Sequence, residues 1–144
     1  MKNNKDLLDD ISSLIKVDIN ALAAYKQAID NIEDNEILNN LKSFADDHSD
    51  HIKNLSKWLN DNGGKAPELK KNMKGLIMEG FTAIAAKIGL KPTFKAMQQN
   101  ERLTNKKYKD ALEIYGNIDL TNLIKKCYED EVRHLTYFDE QLLK

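Results

Sequence analysis

Glu-Val-Arg-His at 131–134, within KKCYEDEVRHLTYF (125–138), and His-Ser-Asp-His at 48–51, within LKSFADDHSDHIKNL (41–55), decide how this chain folds. The two tetrads lie 83 residues apart, and shifting the sequence against itself by that offset aligns much more than the tetrads. Asp18 falls on Glu101, Tyr25 on Tyr108, His48 on Glu131 and His51 on His134. YKQAI (25–29) meets YKDAL (108–112), Leu41 meets Ile124, Ile52 meets Leu135, and Leu55 meets Phe138. Two copies of one helix-turn-helix unit account for the pattern. A duplication of this kind predicts two halves related by an approximate twofold axis.

Working outward, the apolar residues recur at helical spacing. A first helix is expected from about Lys5 to Ile32, with Leu7, Ile11, Leu14, Ile15, Asp18, Leu22, Tyr25 and Ile29 on one face. Asp34 is suited to cap a second, carrying Ile37, Leu41, Phe44, His48, His51, Leu55, Trp58 and Leu59. A third starts near Pro92 and carries Phe94, Met97, Glu101, Asn105, Tyr108 and Leu112. Asp119 can cap a fourth, with Leu123, Cys127, Glu131, His134, Phe138 and Leu142. The breaks fall at Gly63, Gly64 and Pro67, at Gly89 and Pro92, and at Gly116.

Helices of roughly 24 to 28 residues are about 36–42 Å long, which is four-helix-bundle geometry. The expectation is a single all-α domain over residues 1–144, with hairpin 1 at about 5–62 and hairpin 2 at about 92–143. The connection between them is too long for a simple hairpin. Its own pattern (Met73, Leu76, Ile77, Phe81, Ile84, Ile88) predicts a short fifth helix within about 68–89. One long crossover between two helical hairpins is the arrangement of ferritin-like bundles.

The repeat matters because of the residues it aligns. Asp18 and Tyr25, like Glu101 and Tyr108, are two turns apart and share a face. His48 and His51, like Glu131 and His134, are three apart and neighbours on their helix. All of them lie on the apolar stripes. An ionised carboxylate buried there is costly unless a cation or hydrogen-bond donor compensates it. Three carboxylates and three imidazoles from four helices make a candidate metal set: Asp18, His48, His51, Glu101, Glu131 and His134. Such donors suit iron, manganese or zinc, and the imidazoles also suit copper. Tyr25 and Tyr108 are expected behind the ligands, orienting carboxylates through their hydroxyls. Asp47 and Asp50 project to either side of the histidines, toward a supporting role or solvent.

Composition limits the partners. With 22 basic and 23 acidic residues the net charge is -1, which gives no electrostatic reason to expect nucleic acid or an anionic membrane. Cys127 is the only cysteine, so neither an internal disulfide nor a four-cysteine iron site can form within the chain. It reads as a small buried hydrophobe. The charge-broken start MKNNKDLLDDISS has no signal-peptide core, and Gly75 to Leu90 is too short to span a bilayer. A cytoplasmic protein is expected.

On these residues the chain resembles the rubrerythrin-like branch of the ferritin-like superfamily, and most closely its small stand-alone bundles of unknown function. In that branch each hairpin supplies a carboxylate two turns before a Tyr, then Glu-x-x-His on its second helix. Asp18 with Tyr25, Glu101 with Tyr108, and Glu131 with His134 fit this layout. The resemblance implies bound metal, iron first, and oxidation of Fe(II) by O₂ or peroxide, as in a di-iron or mixed-metal oxidase, a ferroxidase or a metal-handling stress protein. A complete peroxidase cycle would need an outside reductant. Two departures stand against it. His48 replaces the first Glu of Glu-x-x-His, so only Glu131 is left to bridge two metals, an imidazole binding one metal through one nitrogen; and Asp18 is one methylene shorter than Glu. A non-redox zinc or copper site therefore stays open beside the oxidase. So does a metal-free interaction or structural bundle, with a homodimer among its partners.

Overall fold

The computed structural model describes residues 4–68, 89–113 and 118–144. They form four helices: α1 (Asn4–Asp30), α2 (Asn35–Asp61), α3 (Leu90–Ala111) and α4 (Ile118–Leu142). The fold is an all-α four-helix bundle. The expected crossover helix falls on residues outside the described ones, as does the break at Gly116.

The helix ends have local causes. Asp34 accepts a hydrogen bond from the Ile37 backbone N–H at 3.0 Å and starts α2 as an N-cap. At the other end of α2, the Gly64 N–H reaches Leu59 O at 2.9 Å and the Gly63 N–H reaches Asn60 O at 3.4 Å. These two bonds make a Schellman motif, which needs the positive φ of +89° that Gly63 adopts. Pro92 lies in the first turn of α3, where its missing N–H has no intrahelical partner to lose. Asp119 does not cap α4 from outside. The helix already begins at Ile118, so Asp119 sits in its first turn, where a negative charge still complements the helix dipole.

α1 packs on α2 and on α3, and α4 packs on α3 and on α2. The diagonals of the bundle are therefore α1/α4 and α2/α3. Tyr25 meets Glu101 while Tyr108 meets Asp18, so α1 and α3 run antiparallel. By the same test, His51 with Asp130 and His134 with Asp47 set α2 antiparallel to α4. Thus α2 and α3 are parallel and diagonal, and the end of one lies a bundle length, about 40 Å, from the start of the other. That is the end-to-end crossover of a ferritin-like bundle. The reciprocal contacts also realise the expected twofold relation between the hairpins.

The core runs through Ile11, Ile15, Leu41, Leu55, Met97, Leu120, Ile124 and Phe138, all nearly devoid of exposed surface. Burying such side chains is worth about 1.5–3 kcal/mol each against leaving them in water. At mid-length this apolar column is interrupted by a polar layer. Among the described residues no helix is long and apolar enough to cross a membrane.

Candidate metal centre

The polar layer contains the six candidate ligands and the two tyrosines that the repeat aligned. Asp18, His48, Glu131 and His134 have no exposed surface, Glu101 has 1% and His51 2%, and Tyr25 and Tyr108 are fully enclosed. Each helix places its share by simple spacing. α1 gives Asp18 and Tyr25, α3 gives Glu101 and Tyr108, and one turn each of α2 and α4 gives His48 with His51 and Glu131 with His134.

The tyrosines cross the bundle. Tyr25 donates from its hydroxyl to Glu101 Oε1 at 2.6 Å, and Tyr108 donates to Asp18 Oδ2. Burial pushes both phenols above their ordinary range, and the neighbouring carboxylates add to it, so both remain donors at neutral pH. Asp18 Oδ1 is left to face His48 Nδ1 at 2.9 Å and His51 Nδ1 at 3.1 Å. Glu101 Oε1 faces His48 Nε2 at 3.3 Å.

Two rings of donors result. In the first, Asp18 Oδ1, His48 Nδ1, Glu131 Oε1 and His51 Nδ1 follow one another at 2.9, 3.4, 3.3 and 3.1 Å. In the second, Glu101 Oε1 lies 3.3 Å from His48 Nε2 and 3.6 Å from His134 Nδ1, which is 3.4 Å from Glu131 Oε2. Within each quartet, one donor atom per residue can be chosen so that all four lie within 4.8 Å of one another. Metal–ligand bonds of about 2.0–2.2 Å in a tetrahedron put neighbouring donors roughly 3.4 Å apart. The rings have that size.

The hydrogen-bond inventory points the same way. Glu101 Oε2, both carboxylate oxygens of Glu131 and His134 Nδ1 are buried without a hydrogen-bond partner among the described residues. Such atoms are rare in folded proteins and costly without a compensating ligand. A divalent cation is the ligand their chemistry fits: both Glu131 oxygens and His134 Nδ1 are atoms of the rings, and Glu101 Oε2 belongs to the carboxylate whose Oε1 enters the second ring.

Metal-free, the cluster holds its charge as protons. Burial disfavours the His48 imidazolium, but the charge of Glu131 and hydrogen bonds to Asp18 and Glu101 outweigh it and raise its pKa to about 9. Burial likewise opposes the His134 imidazolium, and Asp47, Glu101 and Glu131 raise its pKa to about 11. His51 moves the same way, against burial, through Asp18, Cys127 and Glu131. For Asp18 the penalty of burial is overcome by hydrogen bonds from His48 and His51, which hold it below the ordinary carboxylate value. Glu101 is held well below its own ordinary value, by His134 and His48 against the same penalty. Glu131 is raised, by burial and by its neighbour Glu101, against the pull of His48.

Two residues at the site were not among the expected ligands or tyrosines. Asp130 Oδ2 lies 2.8 Å from His51 Nε2, and Asp47 Oδ2 lies 2.8 Å from His134 Nε2. The 83-residue offset also relates these two aspartates, and that was the signal that could have found Asp130. Each takes the outer nitrogen of a histidine on the opposite hairpin, which turns Nδ1 inward. Arg133 then joins the aspartates from the rim, 2.8 Å from Asp47 Oδ2 and 3.0 Å from Asp130 Oδ1. Asp50 is exposed. Cys127 is 2% exposed, its thiol against His51, and burial pushes the thiol up, so it remains a neutral, enclosed side chain as expected.

Fold and site together define a ferritin-like four-helix bundle whose buried carboxylates and imidazoles are suited to metal ions. Residues 6–114 match the family described as Domain of unknown function (DUF2383), and the chain belongs to that family. Comparison with curated proteins gave no match. Among solved structures the fold is similar to that of a ferritin-like, diiron-carboxylate protein from Bacillus anthracis str. Ames, with a TM-score of 0.75 and 19% identity over 99% of each chain.

Proposed function

We propose that residues 1–144 form a single ferritin-like domain of the rubrerythrin-like type that binds two metal ions, iron first. The ligands would be Asp18, His48, His51, Glu101, Glu131 and His134. The observation that carries this reading is the pair of buried donor rings, with four lone-pair atoms that have no hydrogen-bond partner among the described residues. The description of the Bacillus anthracis neighbour as a diiron-carboxylate protein is in keeping with it.

In this reading Tyr108 and Tyr25 hold Asp18 and Glu101 against their rings, while Asp130 and Asp47 fix the tautomers of His51 and His134. Bound metal would supply the redox chemistry. With Fe(II) as substrate, two ions lose one electron each, and the pair of electrons reduces one peroxide, which takes up two protons and leaves as two waters. A cytoplasmic setting, where Fe(II) is available, goes with this chemistry.

Mass-spectrometric metal analysis of protein from metal-replete medium should find up to two metals per chain. The His51→Ala, His134→Ala double variant should lose most of that metal; full retention would remove the proposed site. His48 favours a second reading, a zinc or copper site without turnover, because it takes the place of a carboxylate. Anaerobic loading with Fe(II) followed by air separates the two. Fe(II) consumed faster than in a protein-free control supports oxidation, and an unchanged rate supports the non-redox site.

A further inference from the structure

The departure at His48 becomes intelligible from where its two nitrogens point. Nδ1 belongs to the ring of Asp18, His51 and Glu131, at 2.9 Å from Asp18 Oδ1 and 3.4 Å from Glu131 Oε1. Nε2 belongs to the other ring, 3.3 Å from Glu101 Oε1. Glu131 is divided in the same way, with Oε1 toward His51 and Oε2 toward His134. These are the only two residues shared by both four-donor groups found among the described residues. They are also the pair that the 83-residue offset aligns.

The geometry points to His48 as a bridging imidazolate, which together with the Glu131 carboxylate links the two metal positions. This inference rests on the metal-binding reading above. A neutral imidazole has one lone pair and serves one metal. Loss of the second ring proton to solvent gives an anion with a lone pair on each nitrogen, and two cations flanking one ring make that loss favourable. Charge supports the assignment. Asp18, Glu101 and Glu131 carry three negative charges and an imidazolate a fourth, which balances two divalent cations among side chains that are almost wholly buried. His51 and His134 cannot take this part, because their Nε2 atoms are turned outward to Asp130 and Asp47. His48 thus replaces a carboxylate without giving up either its bridge or its charge.

The test uses the full chain loaded with cupric ion, desalted, and followed by metal analysis and quantitative electron paramagnetic resonance. Two coppers per chain are expected, with a spin count well below the copper content, because an imidazolate couples the two spins. His48→Gln, checked by circular dichroism, should retain about one copper per chain, its spin count equal to its copper. His48→Glu restores the anionic bridge and should retain two. Two uncoupled coppers in the wild type would overturn the bridge. So would one copper in the wild type against two in His48→Glu, since His48 would then occupy a metal position. Wild-type coupling preserved in His48→Gln would assign the bridge to Glu131 alone. Retention of none of copper, iron or zinc by the wild type would instead overturn the metal-binding reading beneath it. The wild-type spin count needs no variant to fold.

Discussion

A carboxylate that accepts the outer proton of an imidazole decides which nitrogen faces inward, and Asp47 and Asp130 do this for His134 and His51. Asp130→Asn and Asp47→Asn keep the shape but replace a charged acceptor with an amide. Each should weaken metal binding about 10–100-fold, the usual cost of losing such a partner. Competition with a chromophoric chelator measures it, and an affinity equal to the wild type would deny the aspartates this role. Periodicity could not assign them. It reports the face a residue takes on its own helix, and Asp47 lies about a quarter turn off the stripe that carries His48. Its partner belongs to the opposite hairpin, so only the pairing of α2 with α4 puts it beside His134. The six candidate ligands, by contrast, were legible because they lie on the stripes themselves, in register with Leu41, Phe44, Leu123 and Cys127.

At the scale of elements, the helix ends carry their own signals. Asp34 spends a side-chain oxygen on an N–H that α2 would otherwise leave bare, at a position open to solvent. Asp34→Ala should cost about 1 kcal/mol, seen as a fall in Tm of about 2–4 °C for a chain of this size. Asp34→Ser should recover most of it, because a hydroxyl accepts the same bond. A fall that serine does not relieve would place the effect elsewhere. Asp34 and the Gly63–Gly64 break were readable, since capping and positive φ depend on a few adjacent residues. The start of α4 was not read correctly, because an Asp just outside a helix and one just inside its first turn both suit the dipole. Which helices are diagonal is a property of packing. The long link between α2 and α3 suggested it, and the reciprocal bonds Tyr25 to Glu101 and Tyr108 to Asp18 establish it.

For the molecule as a whole, the polar layer ties folding to protons or to metal. The metal-free fold keeps His48 protonated to about pH 9 and His134 to about 11, whereas a histidine in the unfolded chain titrates near 6.5. Below 6.5 both states hold the proton and the fold has the full benefit of the ion pairs. As pH rises past 6.5 the unfolded chain releases protons that the fold retains, so stability falls until the folded values are reached. The aspartates do not cancel this. Asp47, held at about 2 despite burial by His134 and Arg133, adds stability that is lost only in acid, as pH drops through that value. Metal binding reverses the slope, because the ligands must shed those protons and affinity grows with pH. Melting temperatures of the chelator-treated chain should therefore decline from pH 7 to 9, a window below the tyrosine range in which Cys127, its thiol pushed up by burial, adds to the decline only near the top as the unfolded thiol titrates at about 8.5. Those of the metal-loaded chain should hold or rise, and the gap between the two should widen across the window. A metal-free melting temperature that stays level over this range would mean that the three histidines are neutral in the fold. The layer would then be held by hydrogen bonds alone.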